Sequence, residues 1–433
     1  MQTVTVIGAG LAGADCANYL ATHGIPVRLI DIKPNAYTLA HSNPDFGELV
    51  CSNSLKSNDV FGNACGLLKE EMRKIGSLVI EAADATKVPA GNALAVDRDA
   101  FAAFITKRLR ENPLISIASQ EAESIPEHGI CVIATGPLTT GKLAESIAEL
   151  SHGGLHFYDA SAPIVAAESI DPEHSFSGAR YGKGGDDYLN CPMNKEEYTA
   201  FVRELVGAER TILHSFEKRE IFEGCMPVEV MAARGEDTLR YGPFKPVGLR
   251  DKDGNRFYAV LQLRKENGDG SAYNLVGCQT NLKWGEQKRI FGMIPALKNA
   301  EFLRYGVMHR NTYIDSPKLL NADFSMRERP DVYFAGQITG VEGYVESAMS
   351  GLLAAVHIAT KLAGKTPVIP NRHTVCGALS AHVSTPNADF SPMNANYGIL
   401  LPLETPIRDK KERYRALSER ALAEMDAYVA HLA

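Results

Sequence analysis

Residues 3–31 read TVTVIGAGLAGADCANYLATHGIPVRLID. Thr3 to Ile7 form a short apolar strand that runs into Gly8, Gly10 and Gly13, a G-x-G-x-x-G turn whose other members are Ala9, Leu11 and Ala12. Apolar residues then recur at helical spacing, and a second strand, Val27 to Ile30, ends at Asp31, 18 residues past Gly13. Each part has a physical task. Gly8 permits the tight turn, Gly10 lets a pyrophosphate approach the backbone, and Gly13 lets helix and strand pack closely. The helix N-terminus offers unpaired N–H groups to phosphate, and Asp31 can accept hydrogen bonds from an adenosine ribose. Glycines alone are a weak signal. With strand, helix, second strand and acid in this order, they predict a dinucleotide-binding unit, with FAD and NAD equally compatible at this point.

The chain has 433 residues, enough for two or three domains and a large core. Apolar residues make up 45% and charged residues 22%, the balance of an ordinary globular protein. No run is long and apolar enough to span a bilayer, and the first strand begins almost at once, without a signal peptide. These features predict a cytoplasmic protein without a membrane partner. The eight cysteines (Cys16, Cys51, Cys65, Cys131, Cys191, Cys225, Cys278 and Cys376) show neither C-x-x-C nor a Cys/His zinc spacing, so no metal site is expected and most thiols should be reduced and buried. A formal net charge of −7 argues against a bulk-basic nucleic-acid binder but allows a local basic face.

Outward from the glycine turn, residues 35–60 are polar and irregular, a long loop of the kind that carries function. Helical patterns follow over Gly66–Ala83 and Arg98–Arg110. The segment Gly129–Gly136, GICVIATG, reads as a strand that ends with Thr135 and Gly136 near a cofactor. Composition changes near Ser177, and RYGKGGDDYLN reads as a connection. Beyond it a helix is expected over Lys195–Val206 and a strand over Phe257–Leu263, with Asp253-Gly254 signalling a hairpin turn. DVYFA (Asp331–Ala335) is another buried strand, and it enters GQITGVEGYVESAMSGL, where Gly336, Gln337, Gly340, Gly343 and Gly351 precede or join a helix over Tyr344–Leu362. Three motifs spread along the chain favour FAD over NAD, because FAD spans its whole domain. The expected fold is α/β, a Rossmann-like FAD-binding domain of residues 1–178 and 320–433 with a smaller inserted α+β domain, 179–319. Arg408–Arg420 reads as a charged surface helix.

Two cysteines escape the usual reading of a small buried hydrophobe. Cys51 sits in LVCSNSLKS and Cys225 in FEGCMPVEV, where polar residues, glycine and proline surround them. A thiolate at either place could add to an electrophilic carbon.

LVCSNSLKS, FEGCMPVEVMAARGEDTLRYGPFKPVGL, EFLRYGVMHRNTYI, AGQITGVEGYVESAMSGL and PMNANYGILLPL together resemble the folate- and FAD-dependent tRNA (uracil-5-)-methyltransferases, over nearly the whole chain. The related wobble-uridine flavoproteins share the glycine turn and the AGQ turn but not the blocks around Cys225 and Tyr305. The resemblance implies FAD reduced by NADPH or NADH, 5,10-methylenetetrahydrofolate as carbon donor, and 5-methyluridine in the T-loop of tRNA as product. It implies that Cys225 adds to uracil C6 and that Cys51 assists proton removal from C5 or handles the flavin-bound carbon. A ribosomal RNA target, a wobble-uridine type of activity, and a flavin-binding RNA chaperone are the alternatives. This chain departs from the family pattern at Asp31-Ile32-Lys33-Pro34, where Lys33 replaces an arginine expected near the adenosine, at Gly292 and Ala296, and at His382-Val383. Arg240, Lys245, Arg250, Arg264 and Lys283 lie in the inserted region and are the candidate contacts to RNA phosphates. Tyr344 and Tyr305 are candidates to stack on a base or on the flavin.

Overall fold

The computed structural model describes residues 2–38, 40–151, 155–182, 185–211, 226–387 and 390–432, without the side chains of residues 155–159 and 309–310. Strand β1 (Val4–Ile7), helix α1 (Leu11–Thr22) and strand β2 (Val27–Asp31) follow the sequence pattern closely. Strands β3 (Ile115–Ser119), β4 (Cys131–Ile133) and β5 (Val332–Phe334) complete a parallel five-stranded sheet in the order β5-β4-β1-β2-β3. Val6 pairs with Leu29 on one side and with Val132 on the other, so β1 is central, with Val4, Val6 and Ile7 buried. Short apolar runs without alternation are what a sheet covered on both faces requires.

Helix α2 (Tyr344–Leu362) packs on α1. The crossing is close because Gly351 faces the Ala12 backbone, where any Cβ would overlap the Ala12 carbonyl. The expected helical run over Gly66–Ala83 is two helices, Ala64–Ile75 and Leu78–Ala85. Gly76, at φ 100°, ends the first in a left-handed cap, and the Ser77 side chain caps the second by accepting from Ile80 N. The charged C-terminal helix extends from Lys410 to Leu432. Its Leu417, Ala421, Met425 and Tyr428 are buried in the core shared with α1 and α2.

A second sheet is antiparallel, ordered Phe176–Ser177, Tyr188–Met193, Ala259–Lys265, Ala272–Leu275, Ile164–Ala166 and Phe302–Arg304. It has its own core, in which Phe201, Phe244 and Phe291 meet, and Phe201 comes from the helix Lys195–Gly207. Its first strand begins at Ile164, ahead of the 178/179 boundary read from composition. Asp253-Gly254 is not a hairpin turn. Ala259–Lys265 pairs with Tyr188–Met193 and, across residues 266–271, with Ala272–Leu275. The Asp251 carboxylate instead folds the 251–255 loop on itself by accepting from Asp253 N and Asn255 N. The two passages between the sheets, Leu155–Ala160 and Met308–Tyr313, run side by side as an antiparallel ribbon. Among the described residues no helix is long and apolar enough to cross a membrane.

Candidate functional site

The C-terminal ends of β1 and β4, the start of α1 and the start of α2 open onto one cavity of about 600 Å³. Gly8 has φ 100°, and a Cβ there would overlap the Ala134 carbonyl, so the turn requires glycine. The Asp31 carboxylate holds this turn from β2. Its Oδ2 accepts from Ala9 N at 2.6 Å and its Oδ1 from Lys33 N at 2.9 Å. The site expected to bind a ribose therefore also fixes the backbone that meets the phosphates.

Of the cofactor residues expected from sequence, Gly8, Ala9, Gly10, Leu11, Ala12, Asp31, Thr135, Gly136, Gly336, Gln337 and Gly343 line this cavity. Gly13 and Gly340 do not. A Cβ on Gly13 would overlap the Gly8 carbonyl, and one on Gly340 the Phe390 ring, so both act in packing behind the wall. Gly10 is different, since a Cβ there meets nothing within 4 Å and points into open space. No side chain caps the N-terminus of α1 at Gly10, nor that of α2 at Gly343. Two helix N-termini thus offer N–H groups and positive dipole ends to one cavity. An open cradle at Gly10, two uncapped helix ends and an acid at the end of β2 fit the pyrophosphate, flavin and ribose of FAD.

Lys33 does not extend toward an adenosine. Its side chain is 7% exposed, and its Nζ donates to Glu48 Oε2 at 2.7 Å and to the Asp45 carbonyl at 2.8 Å. Burial alone would raise the Glu48 carboxyl, but hydrogen bonds from Lys33 and Ser42 hold it below its usual range. The pair ties β2 to the loop that leads to Cys51.

Cys51 lines the cavity and is half-buried. Its N–H and that of Ser52 both donate to the Tyr344 hydroxyl, at 2.6 and 3.1 Å, and its Sγ lies 3.7 Å from the Ala160 carbonyl. The loop is therefore pinned to the first residue of α2. The other six described cysteines are buried, as expected of structural thiols. Cys225 lies outside the described residues. Just beyond it, Val228 N donates to the Gln279 carbonyl at 2.7 Å, and Gln279 lines the cavity.

The sequence reading missed several residues of the wall. Lys56, Glu342 and Asn311 all line it. Lys56 has φ 63° and pairs with the buried Glu346 at 3.3 Å. Lys56 and Glu342 fall inside blocks already singled out, LVCSNSLKS and GVEGYVE. Only the fold shows that they face the same space.

The basic candidates separate into distinct settings. Arg264 is 6% exposed, with Nε on Asn53 Oδ1 and Nη2 on Ser52 Oγ, so it does not face RNA phosphates. Arg240 pairs with Asp237 and lies 3.7 Å over the Tyr258 ring, and Lys283 pairs with Glu209 at 2.7 Å. Lys245 is half-buried, and Arg250 is exposed with Nη1 on the Gly254 carbonyl.

The family model described as glucose inhibited division protein A matches residues 3–366. A Desulfitobacterium hafniense protein named methylenetetrahydrofolate–tRNA-(uracil-5-)-methyltransferase TrmFO is 54% identical over 433 residues, covering 99% of both chains. A Pelotomaculum thermopropionicum protein of the same name is 55% identical over 430 residues, covering 99% of this chain and 98% of that one. The crystal structure of Aquifex aeolicus GidA, form II, matches with a TM-score of 0.71 at 15% identity, over 100% of this chain and 73% of that one, a likeness of fold. The architecture is thus the Rossmann-like FAD-binding fold of these proteins, and the chain belongs to the glucose inhibited division protein A family and, within it, to the TrmFO proteins.

Proposed function

We propose that this chain methylates C5 of a T-loop uridine in tRNA, giving 5-methyluridine, with 5,10-methylenetetrahydrofolate as carbon donor and NADPH or NADH as reductant. The observation that carries this reading is that a dinucleotide cradle and a polar-loop cysteine, Cys51, share one cavity wall. Bound FAD supplies the redox chemistry and the carrying of the one-carbon unit.

The chain's own residues do the rest. The Gly8–Gly13 turn and the free N–H groups of α1 hold the pyrophosphate, Asp31 the ribose, and the N-terminus of α2 the electron-rich end of the flavin. Cys225 adds as thiolate to uracil C6. The S–C6 bond forms, the C5=C6 π electrons move toward C4–O4, and C5 becomes the nucleophile. Once C5 bears the new carbon, Cys51 takes the C5 proton and the Cys225 thiolate leaves C6, restoring the double bond, and the hydride equivalent that brings the carbon from the methylene to the methyl level would come from the reduced FAD. Cys225 is assigned on its sequence context and the family resemblance, and Val228, three residues further on, donates to the carbonyl of Gln279 in the cavity wall. The uridine lies within a folded loop and must leave its stack to reach the cavity. Its carrier is cytoplasmic tRNA, and the FAD domain built around the parallel sheet and the inserted domain built around the second sheet, whose strands run from Ile164 to Arg304, act as one enzyme.

Cys225→Ala and Cys51→Ala test the assignment. Both variants should retain bound FAD and lose methyl transfer by at least about a hundredfold, the scale of a missing nucleophile or base. Transfer at the wild-type rate in either would remove that cysteine from the mechanism.

A further inference from the structure

Behind Cys51, on the side away from the cavity, lies a buried set of charges. Arg98 opens the helix Arg98–Glu111, and its side chain is 11% exposed. It donates through Nη1 to the Leu49 carbonyl, two residues before Cys51, and pairs through Nη2 with Glu266. Arg264, from the second sheet, donates to Ser52 Oγ at 2.8 Å and to Asn53 Oδ1 at 2.9 Å. Asn53 is itself locked, with Nδ2 on the Val96 and Lys265 carbonyls, both at 2.9 Å. Arg304 approaches from the strand Phe302–Arg304 and donates to the Ala40 carbonyl. Three arginines thus face one glutamate around the loop. The titratable groups on the remaining sides are the Tyr344 phenol of α2, kept neutral by burial, the Tyr188 phenol beside Arg264, and the Lys33–Glu48 pair with His41. Neither Arg98, Arg264 nor Glu266 lines the cavity.

Two buried guanidinium groups that grip residues 49, 52 and 53 have no substrate to bind. Their excess positive charge acts at short range through a poorly screened interior. A thiol in such surroundings ionises more readily, as cysteines beside lysine or arginine do. Arg98 and Arg264 both feel the charge of Cys51, and the attraction is mutual.

We infer that Arg98 and Arg264 are positioning residues that hold the Cys51 loop and favour the Cys51 thiolate, with Glu266 limiting the effect. The inference rests on Cys51 being a working thiol of the proposed reaction. It makes the enzyme's proton acceptor depend on a charge set drawn from the helix Arg98–Glu111 and from the second sheet. Loss of a cation must raise the pH at which Cys51 ionises, and loss of the anion must lower it.

The test is the pH dependence of iodoacetamide alkylation of Cys51 in the FAD-loaded full chain, read on the Cys51 peptide by mass spectrometry. Cys51 in the wild type should titrate below the ordinary thiol value of about 8.5. Arg264→Met should move the midpoint up by about one pH unit, an approximately tenfold slower reaction near pH 7. Glu266→Gln should move it down. Mere loosening of the loop would shift both variants the same way, so opposite shifts support the inference and any other pattern overturns it. If Arg264→Met fails to fold, Arg98→Gln takes its place. If that fails as well, the Glu266→Gln shift alone decides, downward for and otherwise against. Opposite shifts together with wild-type methyl transfer by Cys51→Ala would show the charge set acting on the Cys51 thiol and would overturn the thiol's part in the proposed reaction.

Discussion

The Gly8–Asp31 turn and the Leu49–Asn53 loop meet at the same cavity but are built in opposite ways. The turn is made by backbone sterics within a short stretch. Gly8 takes a dihedral angle other residues avoid, Gly13 leaves room for the Gly8 carbonyl, and Asp31 reaches back over 22 residues to Ala9 N. The loop is made by side chains that arrive from far along the chain. Tyr344 comes from 293 residues away to hold Cys51 N, and Arg264 from 211 residues away to hold Asn53. The phosphate turn is held mostly by its own stretch of chain, with Ala134 packed against Gly8 from further along. The loop that carries the Cys51 thiol is held by residues from distant parts of the chain.

The largest expected effects fall on the turn and divide two neighbouring glycines. Gly13→Val should abolish folding of the first sheet, since even a Cβ overlaps the Gly8 carbonyl. Gly10→Val should fold with an unchanged circular dichroism spectrum but purify colourless, because its side chain occupies only the open cradle. A yellow, FAD-saturated Gly10→Val protein would contradict the placement of the pyrophosphate.

A smaller effect is expected on the loop. Asn53→Ala deletes one partner of the Arg264 guanidinium and the donor to the Val96, Lys265 and Glu266 carbonyls, most of them buried. It should cost about 3 kcal/mol of stability by denaturant titration, within the range for buried hydrogen bonds to charged groups, while FAD stays bound. Loss of FAD together with stability would mean that the turn and the loop are not separately built.

The smallest effect concerns the surface. Arg250→Ala removes an exposed cation that, among the described residues, engages only the Gly254 carbonyl, and it should weaken tRNA binding a few-fold and reduce the salt dependence by about one charge. Lys283→Ala should do less, since Glu209 already neutralises it. Equal, large losses from both would place the docking face where the salt bridges lie.

The same contrast explains what was legible in the sequence. The glycine turn, β1, β2, β4 and the helix Tyr344–Leu362 could be read because short-range geometry dictates residue type. The polar context of Cys51 could be read too, although what holds it could not. Lys33 and Arg264 look like surface cations in sequence, and only the fold reveals that Glu48 and Asn53 bury them. The helical pattern Gly66–Ala83 ran past Gly76 because apolar spacing continues through a break that one left-handed glycine imposes. The hairpin expected at Asp253-Gly254 failed because turn residues signal a bend, not which strands will pair across it.

The most direct test of the proposed function is methyl transfer to unmodified tRNA, using the purified protein, NADPH and 5,10-methylenetetrahydrofolate labelled in its one-carbon unit, with the nucleosides identified afterwards. The account predicts labelled 5-methyluridine that depends on the folate and disappears in Cys225→Ala. NADPH oxidation without any labelled nucleoside would contradict it.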